Sequence, residues 1–190
     1  MEERERRFVE MHYDTDIKAR EYSECIFEHC IFAGIVLIDV VFDNCAFVNC
    51  TFRDVNLAGL RMQNATFRDT AFINIDWSEI RYASKLFPLV KEISKCILKY
   101  NNFSKMKLLK LPLVDSSLID CAFLECDLSG SVFKNVDLQD TSFQECNLSK
   151  ADFREARNYR INPESNRMHK AKFSLPEVVG LLTDLDISIE

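Results

Sequence analysis

Large apolar residues recur every five positions along most of this chain. Stepping by five from Ile17 lands on Tyr22, Phe27, Phe32, Leu37, Phe42, Phe47, Phe52, Leu57, Met62, Phe67, Phe72, Trp77, Tyr82 and Phe87. A second run, displaced by one residue, reads Ile93, Leu98, Phe103, Leu108, Leu113, Leu118, Phe123, Leu128, Phe133, Leu138, Phe143, Leu148 and Phe153. Of 15 phenylalanines, only Phe8 and Phe173 lie outside these two runs, whose position is called i below. All eight cysteines (25, 30, 45, 50, 96, 121, 126 and 146) sit two residues earlier, at i−2. The rest of i−2 is mainly small or β-branched, as at Val40, Ala65, Thr70, Ser131 and Ala151. Positions i−1, i+1 and i+2 are largely polar.

Neither standard period fits. A helix needs apolar spacings of three and four, and a half-buried strand needs alternation. One large and one small inward residue in every five describes a chain that turns a corner every five residues. Four units close a square coil of about 20 residues, and successive coils pair as parallel strands ~4.8 Å apart. Stacking places Phe27, Phe47 and Phe67 in one ladder and Phe32, Phe52 and Phe72 in another. The rings fill the axis and leave room only for small side chains at i−2. The cysteines are therefore expected as buried, inert packing. Thiols in an in-register parallel pair point the same way, and successive C-x4-C thiols lie on different sides of the square, which suits neither a disulfide nor a metal.

The organisation follows as a leader over 1–16, the repeat over 17–157, and a connector, cap and terminal strand over 158–190. The leader is either a partial cover for outward apolar residues of the first coils, such as Ile26 and Ile31, or a frayed tail. The two phases meet near 83–92, where Lys85 would fall on an inward site and Pro88 lacks a backbone donor. This interruption is either a simple kink or a projecting contact loop carrying Lys85, Phe87, Pro88 and Lys91. Past the repeat, Ser174-Leu175-Pro176-Glu177 reads as the capping box of a short α-helix. Val178, Leu181, Leu182 and Leu185 form its apolar face, and Ile187 begins a strand-like alternation. Together with Phe173 these residues are expected to cap the last coil and to join two copies tail to tail, since an open coil edge invites pairing.

Charge narrows the function. The formal net charge is −6. If the interruption skips one residue without removing a coil, one side carries Asp16, Asp39, Asp76, Glu79, Asp120, Asp137 and Asp140 against Lys18 and Lys99. Such an acidic stripe would attract the basic saddle of a nucleic-acid-binding partner, although duplex DNA is denser at one charge per ~1.7 Å. Residues 81–110 hold eight cations and one acid, spread over all four sides as a belt. Direct nucleic-acid binding is not expected, because no exposed aromatic platform accompanies them. His12, His29 and His169 are scattered, so no catalytic group, metal or cofactor is expected. With no long apolar span and no secretory signal at the start, the expected location is the cytoplasm, with no membrane contact.

The units Ala151-Asp152-Phe153-Arg154-Glu155, Cys126-Asp127-Leu128, Val136-Asp137-Leu138 and Cys146-Asn147-Leu148 resemble the consensus Ala-(Asp/Asn)-Leu-x-x of the pentapeptide-repeat family. That resemblance implies a right-handed quadrilateral parallel β-helix, an all-β fold. The tail, Asn158-Tyr159-Arg160-Ile161-Asn162-Pro163 and Lys172-Phe173-Ser174-Leu175-Pro176-Glu177, with the interrupted repeat, is similar to the Qnr-type quinolone-resistance and microcin-immunity branch. The branch implies a non-enzymatic DNA mimic that binds DNA gyrase or topoisomerase IV as a homodimer and protects it from quinolones or a toxin. The alternative is a structural or adaptor scaffold with an unrelated protein partner.

Overall fold

The computed structural model describes residues 1–82 and 88–182. The chain winds into a right-handed quadrilateral parallel β-helix whose four walls are parallel strand ladders, continued in the later coils by isolated bridges such as Asp127–Asn147 and Asn147–Arg167. Wall 1 contains Glu2–Arg4, Glu21–Ser23, Val41–Asp43, Arg61–Gln63 and Arg81–Tyr82. Wall 2 has seven strands, from Arg7–Val9 to Val132–Lys134. Wall 3 has six, from His12–Tyr13 to Ser117–Ile119. Wall 4 begins with Ile17–Lys18 and Leu37–Ile38, passes through the 3-10 helix Trp77–Glu79, and continues with Asn102–Ser104, Ala122–Leu124 and Ser142–Gln144.

The expected packing is present. Phe27, Phe47 and Phe67 stack at centroid spacings of 4.9 and 5.1 Å, and Phe32, Phe52 and Phe72 at 4.5 and 5.1 Å. Rings on adjacent walls meet edge to face, as Phe42 does with Phe47 at 5.2 Å. All eight cysteines are buried and free. Each thiol points into the backbone: Cys45 Sγ donates to the Tyr22 carbonyl of the previous coil at 3.2 Å, and Cys50 Sγ to that of Phe27 at 3.3 Å. Thr141 uses its hydroxyl the same way, on the Leu118 carbonyl at 2.8 Å. Small residues capable of donating a hydrogen bond are favoured at i−2 because they satisfy a buried carbonyl as well as fill space.

Corners fall at i+2, where the backbone turns left-handed. Asp39, Asn44, Asn49 and Asp54 have φ of 51, 51, 53 and 54°. Asn and Asp tolerate that region better than other residues with a Cβ, which explains their recurrence in the first half.

Two expectations about the ends are corrected. Residues 1–16 are a coil of the stack rather than a leader: Glu2–Arg4, Arg7–Val9 and His12–Tyr13 pair in parallel with the next coil. Phe8 stacks on Phe27 at 4.8 Å and Tyr13 on Phe32 at 4.5 Å. The offset is 19 residues rather than 20, so Phe8 lies off the phase that starts at Ile17. Glu3 takes the i position of this first coil, where its carboxylate bonds Arg6 at 2.6 Å and lies 3.8 Å from Arg20, while Arg6 covers the Phe8 ring. A charged lid closes this end.

At the other end the expected α-helix is a 3-10 helix, Glu177–Leu182. The capping-box side chains are committed to the stack instead of to their own helix. Ser174 Oγ accepts from Glu155 N–H at 3.1 Å, and Glu177 Oε2 accepts from Asn158 N–H at 3.2 Å. These are donors of the last coil, left without a further strand, so saturating them takes precedence over capping a short 3-10 helix.

Candidate protein-contact surfaces

The interruption decides which outward residues share a wall. Phe72 pairs with Leu98 and Phe67 with Ile93, and the Trp77 ring stacks on Phe103 at 5.7 Å. Equivalent positions are therefore 26 residues apart here, against 20 elsewhere: the chain makes a one-residue shift and adds one whole unit. The added unit moves everything after it to a neighbouring wall.

This breaks the expected stripe. Asp16, Asp39, Asp76 and Glu79 lie on wall 4, while Asp120, Asp137 and Asp140 lie on wall 3, whose ladder runs through Leu98, Leu118 and Leu138. Wall 4 instead gains Glu125 and Glu145, which the sequence reading missed. The aromatic column Trp77, Phe103, Phe123, Phe143 was the signal that could have placed them.

Several of these carboxylates are structural. Asp76 is the N-cap of the 3-10 helix and accepts from Ser78 N–H at 3.0 Å and Asn102 Nδ2 at 3.1 Å. Asp16 accepts from Val36 N–H at 3.0 Å, and Asp137 from Gln139 N–H at 3.2 Å and Asn158 Nδ2 at 2.8 Å. Asp140 accepts from the Gln139 amide at 3.2 Å, and Glu125 lies 3.6 Å from Lys105 Nζ. Asp39, Glu79 and Glu145 on wall 4 are exposed and make no side-chain bond among the described residues, and the same holds for Asp120 on wall 3.

Of the interruption residues, Lys85 and Phe87 lie outside the described residues. Pro88 is exposed, and its carbonyl accepts from Asn64 N–H at 2.8 Å, which re-enters the ladder. Lys91 is the extra residue of a β-bulge between the Ala65–Val90 and Thr66–Glu92 pairs, with its side chain exposed. Beside it, Arg68 clamps Glu92 through two bonds of 3.1 and 2.9 Å, and this holds the Glu92 carboxyl below the usual range. The described cations of 81–110 do fall on every wall: Arg81, Lys107 and Lys110 on wall 1, Lys91 and Lys95 on wall 2, Lys99 on wall 3 and Lys105 on wall 4. Wall 3 also bears Ile97 and Tyr100, half exposed at 51% and 52%.

The tail presents an apolar end. Phe173 stacks on Phe153 at 5.2 Å, with Tyr159 tilted against both rings. Val178, Leu181 and Leu182 are half-buried, whereas Leu175 is 82% exposed. Leu185 and Ile187 lie outside the described residues. Among the described residues, no cluster of three or more His, Cys, Asp or Glu side chains could hold a metal ion, and no helix is long and apolar enough to cross a membrane.

A square coil with ring ladders inside and charged corners outside defines a pentapeptide-repeat β-helix. Residues 21–91 match the family model described as a pentapeptide repeat region, and residues 116–157 match the model of eight pentapeptide repeats. The chain belongs to the pentapeptide-repeat family. Among solved structures it is similar to a trypsin-treated variant of QnrB1, a plasmid-mediated fluoroquinolone resistance protein, at 15% identity and TM-score 0.58, covering 97% of this chain and 99% of that one. A second trypsin-treated QnrB1 variant matches at 13% identity and TM-score 0.56, with 97% of each chain covered. HetL, a pentapeptide repeat protein involved in heterocyst differentiation regulation from the cyanobacterium Nostoc sp. strain PCC 7120, matches at 13% identity and TM-score 0.41, over 90% and 84% of the chains. Comparison with curated proteins returns no match.

Proposed function

We propose that this chain is a binding protein without catalytic activity, which engages a bacterial type II topoisomerase (DNA gyrase or topoisomerase IV) and protects it from a quinolone or a toxin. One observation carries the reading: unpaired carboxylates at Asp39, Glu79 and Glu145 project from one wall of a stack that spans the length of a fluoroquinolone resistance protein. A rigid acidic wall offers attraction to a basic DNA-binding saddle while presenting no scissile backbone. Its charges are several coil spacings apart, so it is a sparse DNA mimic, and binding would weaken steeply with salt. The apolar tail formed by Phe173, Val178, Leu181 and Leu182, with Leu185 and Ile187 beyond, is proposed as the seam of a tail-to-tail homodimer. The proposed place of action is the cytoplasm, where the topoisomerase works.

A scaffold with an unrelated protein partner is the second reading, favoured by Ile97 and Tyr100 on wall 3, since exposed apolar side chains are superfluous in a mimic of a polyanion. Supercoiling by purified gyrase, with and without ciprofloxacin, separates the two. Protection that falls when Asp39, Glu79 and Glu145 are changed to Lys supports the first reading. Absence of both gyrase binding and any change in drug inhibition rejects it. For the seam, light scattering on Leu182→Asp should report the monomer mass.

A further inference from the structure

Wall 1 reverses charge over its first six coils. Glu2, Glu21, Val41, Arg61 and Arg81 are successive partners in one ladder, Lys107 follows one coil later, and Asp127 then pairs with Lys107 on the seventh coil, beyond the charge reversal. The adjacent corner repeats the reversal, with Glu5 at the first coil and Lys110 at the sixth. All these charged side chains are exposed. Arg61 and Arg81 stack directly, an arrangement that costs energy in a sheet, and neither has an ion pair among the described residues. Among the described residues, Arg4, Arg6, Arg7, Arg20, Arg68 and Arg154 have one, and Arg53, Arg157, Arg160 and Arg167 do not.

We propose that wall 1 is a self-complementary interface on which a second copy of this chain docks side by side, with the two rods antiparallel. The two-fold axis runs along the strand direction between Val41 and Arg61. It sets Arg81 opposite Glu21, Lys107 opposite Glu2 and Lys110 opposite Glu5, each occurring twice. The parallel arrangement sets like charges against each other, so the charge pattern selects one orientation. Six coils overlap, ~24 Å from first to last. The cations in the acidic half are already engaged: Arg4 by Glu24 at 3.1 Å and Glu5 at 3.5 Å, Arg20 by Glu3 at 3.8 Å, and the Met1 ammonium by the Ala19 carbonyl at 3.1 Å. Exposed pairs are individually weak, so the contact is salt-sensitive and reversible, and it is separate from any apolar seam at the tail.

Sedimentation of the full chain at about 10 mM and about 150 mM salt tests this, because the Debye length falls from roughly 30 to 8 Å. The expected result is association that weakens about tenfold or more across that range. Two variants sharpen it: Glu2→Lys/Glu5→Lys/Glu21→Lys, and Arg81→Glu/Lys107→Glu/Lys110→Glu. Each alone should lose the salt-sensitive association, and an equimolar mixture should regain it as a heterodimer, with circular dichroism confirming that both are folded. A salt-independent mass for the unaltered chain overturns the proposal without any variant. So does a mixture that fails to associate. Wild-type binding of a labelled DNA duplex, lost in the Arg81 variant and without self-association, would assign the basic half to nucleic acid and overturn it too.

Discussion

The indole N–H of Trp77 donates to Asn101 Oδ1 at 2.9 Å, bonding the coils on either side of the interruption inside the core. Asn101 occupies a buried i−2 site, the position that Cys121 and Thr141 hold on the next two coils of the same wall. Its Nδ2 donates to the carbonyls of Phe72 and Lys99, both at 2.9 Å. Asn101→Ala would strand a buried indole donor and two carbonyls, and is expected to cost ~1–3 kcal/mol in urea unfolding. In the Trp77→Phe background the same change should cost less, since the donor is gone. Equal costs in both backgrounds would show that the bond contributes nothing.

The thiols should be silent in the folded state. Burial pushes Cys45 and Cys50 up to about 12, and Cys96 and Cys121 up to about 11. Thiolate is the reactive form, so a thiol reagent at neutral pH should label these four only after denaturant is added. Rapid native labelling at any of them would mean that the coil opens there.

Acid should weaken the bulge beside Lys91. The Arg68 guanidinium holds the Glu92 carboxyl below its ordinary value, with Ser94 Oγ adding a bond at 2.9 Å. A carboxyl lowered on folding stabilises the fold above its unfolded pKa, and that contribution is lost as pH falls through the folded value. Arg68→Met should therefore lower stability at neutral pH and flatten its decline below the usual carboxylate range. The effect will be small because the pair is largely exposed. An unchanged acid limb of stability against pH would remove Arg68 as the cause.

Gly180 permits the cap to close. A Cβ there would lie 2.4 Å from the Tyr159 carbonyl oxygen, a contact neither backbone can relieve without moving. Gly180→Ala is expected to lift Glu177–Leu182 from the last coil, at a cost of ~1–3 kcal/mol, and to expose the Phe173 and Tyr159 rings. Faster proteolysis after Phe173, with the upper coils intact by circular dichroism, is the predicted signature.

The stack itself was legible because its period is written in large side chains: Phe27, Phe47 and Phe67 stand 20 residues apart and nothing else packs that spacing. The cysteines were legible for the same reason, being the small partners of those rings. Phe8 and Tyr13 escaped notice because a coil one residue short puts them out of phase with Ile17, although their rings stack as well as any. Ser174 and Glu177 carried a real capping pattern, but local sequence does not reveal that Glu155 and Asn158 offer competing donors. The wall assignment after Val90 was the largest error: inward spacing alone does not distinguish a shift of one from a shift of one plus a whole unit, and only the partners of Leu98 and Phe103 decide it.

The extra unit ahead of Val90 works as an indexing step. Whole units can be added or removed there while the axial rings find new neighbours of the same kind, and the surface pattern on the distal coils then turns by a quarter relative to the proximal ones. Removing five residues would bring Leu98 beneath Trp77 and reunite Asp120, Asp137 and Asp140 with Asp39 and Glu79 on one side. A rod of this type can thus redeal which charges face a partner through a single short insertion or deletion, leaving every buried residue in its class.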